Sequence, residues 1–211
     1  MRAGRPLRFC FHFGLSMTSM RACVLSGGAS SRMGRDKALL PHPSGGVWLS
    51  ALVTQLRAMP LPVVVVSGHA SHRSLLQHWP QVEVVPDALQ PQGPLQALAE
   101  VLSPEPGRPL LVAPVDMPLL TSHGLQQLVD AWRQEPQCAA VADDGVRLQP
   151  LLGVYPSGDP FHPRLMAQLA QGNRRWMDWL GSIPHRPVRL PARQLCNLNA
   201  AADLAALTDD C

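Results

Sequence analysis

The sequence predicts a three-layer α/β/α domain built on a mostly parallel sheet. Three observations carry that expectation. Apolar runs of strand length recur along the chain, several are apolar throughout rather than alternating, and amphipathic helical patterns fall between them. The expected strands are ACVLS at 22–26, PVVVVS at 62–67, VEVV at 82–85, PLLVAPVD at 109–116, CAAVA at 138–142 and LQPLLGVY at 148–155. Strands without polar alternation are covered on both faces, as when helices pack on either side of a sheet.

The helices follow from the 3.6-residue period. In 47–59, Leu49, Leu52, Val53 and Leu56 recur at i, i+3, i+4 and i+7. Leu95, Leu98 and Leu102 do the same in 93–102. A third helix is expected over 118–132, with Leu125, Leu128, Val129 and Trp132 on one face and Thr121 or Ser122 able to cap it. Further on, Trp176, Met177, Trp179 and Leu180 read as core, whereas His69 and His72 read as surface loop residues.

Composition narrows the class of function. The 211 residues suit one domain, and 46% apolar content is enough for a substantial core. A net charge of +3 favours a small anionic ligand and is too weak and dispersed for nucleic acid. The 22 prolines fall mostly between apolar runs, as rigid punctuation. Five cysteines lie far apart with no CxxC, which fits reduced thiols in a cytoplasm. No apolar run approaches the roughly 20 residues that span a bilayer, so no membrane partner is expected. His69 and His72 lack a nearby acidic or cysteine partner in sequence, which argues against zinc.

Residues 1–20 are basic, free of acid and poorly patterned. We read them as an extension outside the fold, disordered or arising from a mis-assigned start, because Met17 and Met20 stand just before the first strand. A transit-like segment is the alternative. Residues 21–211 then form a single domain, with no internal repeat and no long linker.

Ligands of open α/β sheets bind beyond the carboxyl ends of the strands. Three loops therefore matter: those after 22–26, 82–85 and 109–116. The first contains LSGGASSRMGRDKALL, residues 25–40. Gly27 and Gly28 allow close approach of backbone to an anion. The stretch lacks the Gly-Lys-Ser/Thr of a P-loop, and its adjacent glycines do not match GxGxxG.

Instead, it resembles the LxGGxSxRMGxDKxL signature of the molybdenum cofactor guanylyltransferases. These belong to the nucleotidyltransferase superfamily with the Rossmann-like fold of the nucleotide-diphospho-sugar transferases. The resemblance extends over nearly all of 21–207. VVPDALQPQGPLQAL resembles the family's acidic residue followed by Gly-Pro-Leu, which implies that Asp87 touches the nucleotide. PVDMPLL resembles its Cys-Asp-x-Pro stretch, which implies that Asp116 holds Mg²⁺. QGNRRWMDWL and CNLNAAADLAAL resemble stretches that imply pterin contacts for Arg174, Arg175, Asn197 and Asn199. Ser67 stands where the family often has Asn, and Gln149 where it usually has His.

The resemblance implies transfer of GMP from GTP to molybdopterin, with release of pyrophosphate. It also implies transient contact with a molybdenum insertase and with apo-molybdoenzymes. Chemistry then assigns roles. Lys37 is a compact cation suited to the α-phosphate, Arg32 offers a fork for the β- and γ-phosphates, and backbone N–H groups from Leu25, Ser26, Gly27 and Gly28 can cradle the nucleotide. Each residue also has a plain structural role open to it. Asp116 could cap the helix at 118–132, Asp36 could pair with Arg32 or Arg35, Asn197 and Asn199 could be helix caps, and Arg174 and Arg175 a solvated face. The alternatives in function are a cytidylyltransferase of the same cofactor, a guanylyltransferase of another phosphorylated metabolite, and a non-catalytic nucleotide-binding protein.

Overall fold

A computed structural model describes residues 20–26, 36–87 and 93–198. Seven strands form one sheet: β1 (Arg21–Leu25), β2 (Val63–Val66), β3 (Val82–Val85), β4 (Leu110–Pro114), β5 (Ala139–Asp143), β6 (Leu148–Tyr155) and β7 (His185–Arg189). Their order across the sheet is β3-β2-β1-β4-β6-β5-β7. Every neighbouring pair is parallel except the two made by β6, which runs antiparallel to β4 and to β5. The expected mostly parallel sheet is therefore present.

Two layers of helices cover the sheet, and the period of two along each strand divides its side chains between them. Ala22 and Val24, Val63 and Val65, Leu111 and Ala113 point to one core. That core is completed by helices α1 (Trp48–Arg57), α2 (Ala70–Leu76) and α4 (Ser122–Gln134). Cys23 and Leu25, Val64 and Val66, Leu110 and Val112 point to the other. Helices α3 (Pro94–Val101), α5 (Phe161–Ala170) and α6 (Trp176–Ser182) cover it. This two-sided burial is why the central strands lack polar alternation. Among the described residues Cys23, Cys138 and Cys196 are free thiols, and burial pushes the Cys23 thiol up to about 12, so it stays protonated.

The structure corrects four expectations. Helix α4 begins at Ser122 rather than 118, because Thr121 caps it by accepting the Gly124 N–H at 3.1 Å. The segment before it turns instead, with Leu120 N donating to Met117 O. A helix, α2, occupies 70–76 where a loop was expected, and His72 is fully buried because it shares the inward face with Leu76, four residues on. Met177 is 51% exposed, since α6 turns Trp176, Trp179 and Leu180 inward and leaves the intervening position outward. Strand β7, HRPVR, lies at a sheet edge, where Pro187 and the flanking arginines are tolerated and discourage further pairing.

Trp176 and Trp179 pack edge to face at 5.9 Å, and both adjoin Tyr155. The Trp176 indole N–H donates to the Tyr155 hydroxyl, which donates to the Pro150 carbonyl. These tryptophans are core. We expect Trp179→Ala to cost about 3–5 kcal/mol in urea unfolding. A loss below about 1 kcal/mol would mean that the α5–α6 layer is not a cohesive part of the core.

Candidate functional site

The register of the parallel strands sets the geometry. Val85 pairs with Val66, Val66 with Leu25, and Leu25 with Pro114, so four strands end in one row. The ladder runs one residue further: Ser67 N donates to Val85 O, Ser26 N to Val66 O and Val115 N to Leu25 O. Just past that rim come Asp87, Ser67-Gly68, Ser26 and Asp116. At about 4.8 Å per strand, the ends of β3 and β4 stand about 14 Å apart. That is a span for an extended ligand rather than for a single ion.

The chain leaves β1 toward β2 on one side, and returns to β4 on the other. The crevice between β1 and β4 is therefore the topological switch point, where such sheets bind ligands. Two charged residues bear on it. Lys37 opens a short 3₁₀ turn, Lys37–Leu39, and Asp116 follows β4. Burial pushes the Asp116 carboxyl above the usual carboxylate range, while the positive charge of Lys37 pulls it back down. The two residues thus feel one another's charge.

The turn is held on several sides. Asp36 caps it, its Oδ1 accepting the Ala38 N–H at 3.1 Å, and Ala38 is buried in the core shared with α1 and α2. His42 takes the Ser44 N–H on Nδ1 at 3.1 Å, so its Nε2–H donates to the Pro118 carbonyl at 2.9 Å. That bond ties the segment after the turn to the segment after Asp116. The Trp48 indole donates to the Pro41 carbonyl at 3.2 Å. Trp48 and Leu198 form a small separate core with Leu40, Val115, Leu119 and Cys196 against it. Leu198 N donates to the Asp116 carbonyl at 2.9 Å, which brings exposed Asn197 next to Asp116.

Other sequence-predicted residues fall as follows. Gly27, Gly28, Arg32 and Asn199 lie outside the described residues. Leu25 and Ser26 sit at the rim, and the Ser26 N–H is engaged by Val66. Asp87 lies at the far end of the row, beside Gly68, and its charge helps raise the Glu100 carboxyl, after burial. Arg174 and Arg175 are exposed and precede α6, in the helical layer across the sheet from Ala38. Gln149 is buried and donates to Asp144 at 2.9 Å. Asp116 is not the cap of α4, a role Thr121 fills. Among the described residues Asp36 meets Ala38 N, His72 Nε2 at 2.7 Å and, more distantly, His69 Nδ1 at 3.8 Å; its other expected partners, Arg32 and Arg35, lie outside them.

Sequence reasoning missed His42 and His72. His72 lies 36 residues from Asp36 in sequence, so no local pattern announces the pair. The one available signal was its helical spacing with Leu76. Among the described residues no helix is long and apolar enough to cross a membrane, and no group of three or more His, Cys, Asp or Glu could hold a metal.

Comparison with known proteins fits this arrangement. Residues 22–185 match the MobA-like NTP transferase domain family, and the chain belongs to that family. It is 36% identical over 187 residues to a probable molybdenum cofactor guanylyltransferase of Rhodopirellula baltica, covering 86% of this chain and 88% of the relative. A protein of the same description from Synechococcus elongatus is 33% identical over 195 residues, covering 88% and 96%. The fold matches the molybdopterin-guanine dinucleotide biosynthesis protein A of Archaeoglobus fulgidus, with a TM-score of 0.67 at 20% identity over 91% of this chain and 98% of that one. It also matches a 4-diphosphocytidyl-2C-methyl-D-erythritol synthase, with a TM-score of 0.66 at 14% identity over 90% and 96%. The chain is thus a MobA-like nucleotidyltransferase in family and in fold.

The raised Asp116 carboxyl has a consequence for stability. Its folded-state value lies above its unfolded one, so as pH rises through the carboxylate range the unfolded chain gives up its proton first, and unfolding is favoured. The ionised carboxylate is therefore a burden on the ligand-free fold at neutral pH. In EDTA, Asp116→Asn should raise the melting temperature at pH 7, and the gain should vanish below about pH 4. A variant less stable than wild type at pH 7 would contradict the burial argument.

Proposed function

We propose that this protein transfers GMP from GTP to the terminal phosphate of molybdopterin, releasing pyrophosphate. The observation that carries the reading is a partly desolvated Asp116 just after β4, near enough to Lys37 to feel its charge, in a chain of the MobA-like family. The relatives' names, probable molybdenum cofactor guanylyltransferase, support a guanylyl group transferred to that cofactor.

A phosphate oxygen of the acceptor attacks the α-phosphorus in line. The bond to the bridging oxygen breaks, and its electron pair leaves with pyrophosphate. The nucleophile is already an anion, so no side chain has to remove a proton. What opposes reaction is repulsion between anions and the charge that grows on the leaving group. Catalysis is then positioning and electrostatics. Lys37 supplies a fixed positive charge for the α-phosphate, on a turn anchored by Ala38 and capped by Asp36. Arg32, seven residues after β1 in the sequence, is the guanidinium suited to the β- and γ-phosphates. Asp87, at the other end of the row, meets the nucleoside.

Asp116 suits a hard divalent cation. It is a desolvated carboxylate with a raised affinity for protons, and by the same electrostatics for metal. Asp116 is the residue that would hold Mg²⁺. A cation held there would supply positive charge against the phosphates, while Asp116 keeps it beside the crevice. Arg174, Arg175 and Asn197 are the pterin-side residues of this reading. Free molybdopterin is unstable, so direct hand-over from a molybdenum insertase and onward to apo-molybdoenzymes accompanies the reaction. A pull-down with purified components checks it.

Two variants test the chemistry. Lys37→Ala should weaken GTP binding and lower kcat/KM about 10²–10³-fold, because its charge acts in both ground and transition states. Unchanged turnover would remove Lys37 from the site. Asp116→Ala should abolish Mg²⁺-dependent pyrophosphate release by at least about a hundredfold. A fully active variant would contradict the metal assignment.

A further inference from the structure

We propose that His72 is a positioning residue for Lys37, acting through Asp36 and itself fixed by Ser67. The inference rests on the reading of Lys37 as a phosphate ligand and extends it to residues that do not touch the substrate.

The argument starts from a buried imidazole. His72 has no exposed surface, so both ring nitrogens need partners inside the protein. The Nε2 atom lies 2.7 Å from Asp36 Oδ2. An ionised carboxylate can only accept, so Nε2 carries the proton and donates. In the neutral ring Nδ1 is then bare. The Ser67 hydroxyl, 2.6 Å away, donates to it, and Ser67 Oγ accepts the His69 N–H at 3.1 Å. Ser26 Oγ stands at 3.4 Å from the same nitrogen, as a longer second contact. The other Asp36 oxygen accepts the Ala38 N–H.

Every donor in this chain has an acceptor, and the ionised member sets the direction of all the bonds. It runs from the end of β2, through α2, to the carboxylate that caps the turn of Lys37. Asp36 is itself only partly exposed, its side chain at 20%, so its carboxylate does not swing freely in water. Without the bond to His72, Asp36 loses its shortest contact among the described residues and is held there only by Ala38 N and the more distant His69. The adjacent Lys37 then loses its fixed approach to the crevice.

The neutral state of His72 fits its surroundings. Burial disfavours the imidazolium more than the neighbouring Asp36 charge favours it, and His69, with ring centroids 5.0 Å apart, disfavours it further. The ring is thus held below its ordinary range. Ser67 also acquires a role. It stands where relatives of the resembled family often carry Asn, and its hydroxyl serves His72 and His69.

A double-mutant cycle tests the inference, read by calorimetric titration of GTP with Mg²⁺ and by kcat/KM. His72→Phe keeps the volume and removes both bonds, whereas His72→Gln keeps an amide able to donate to Asp36. We expect H72F to weaken GTP affinity about tenfold to a hundredfold, and H72Q to recover much of that loss. In a Lys37→Ala background H72F should have no further effect, because Lys37 is the group it positions. An H72F protein that binds GTP like wild type, or loses equally in both backgrounds, would overturn the inference. A role in packing alone predicts that H72F outperforms H72Q, since the apolar ring suits a buried site better than an amide. If H72F fails to fold, Ser67→Ala is carried through the same cycle, with the same non-additivity expected and additivity again fatal. Should Lys37→Ala alone leave GTP affinity intact, it is the phosphate reading of Lys37 that fails, and the two failures are told apart.

Discussion

The site depends on the pairing of β1 with β2 on one side and β4 on the other. Both pairings are parallel and in continuous register, and β1 is buried almost throughout. Parallel strands that share a register share a rim, so the residues after Leu25, Val66, Val85 and Pro114 are delivered together without any further device. The ladder bonds are short-range and oriented, and they sit between two apolar layers that exclude water from them. A slip by one residue in β4 would turn Leu111 and Ala113 from one core to the other and carry Asp116 away from Lys37. Packing and function are therefore specified by one register.

On that rim, the two charged residues are fixed in different ways. Asp116 is fixed by its strand and by the closing segment, whose Leu198 N–H binds the Asp116 carbonyl. Lys37 lies outside the strands and needs a separate mounting. Asp36, His72 and Ser67 hold its turn toward α2, while His42 and Trp48 hold the following segment toward Pro118 and Pro41. A long flexible amine loses rotamer entropy when held, of order 2 kcal/mol for a lysine. Ordering its backbone in advance leaves less to be ordered when a phosphate arrives. The half-buried Asp116 is the counterpart cost: a carboxylate kept partly dry strengthens its pull on cations and weakens the ligand-free fold.

How much of this could be read beforehand varies with the kind of interaction. The central strands were legible because VVVV and LLVAP are apolar on both faces, which only a covered strand explains. The helices with a clear 3.6 period were legible, and so was the Thr121 cap of α4, although the expected start at 118 ran four residues too early. Strand β7 gave no signal, since an edge strand can carry Arg186, Pro187 and Arg189 without burying them. Lys37, Asp87 and Asp116 stood out through a motif and through their places after strands. His72 did not, because its meaning comes from Asp36, brought to it by the packing of α2. A buried polar bond between distant segments has no local periodicity to betray it.

The central claim is the transfer of GMP to a molybdopterin phosphate, and label transfer tests it most directly. Purified protein would be given Mg²⁺, molybdopterin freshly released from a donor, and α-³²P-labelled GTP, CTP or ATP in separate reactions. The account predicts label in the pterin product with GTP alone, in step with pyrophosphate release. Label from CTP in place of GTP would contradict the choice of base while leaving the phosphate chemistry standing. No label from any nucleotide, alongside measurable GTP binding, would contradict the transfer itself.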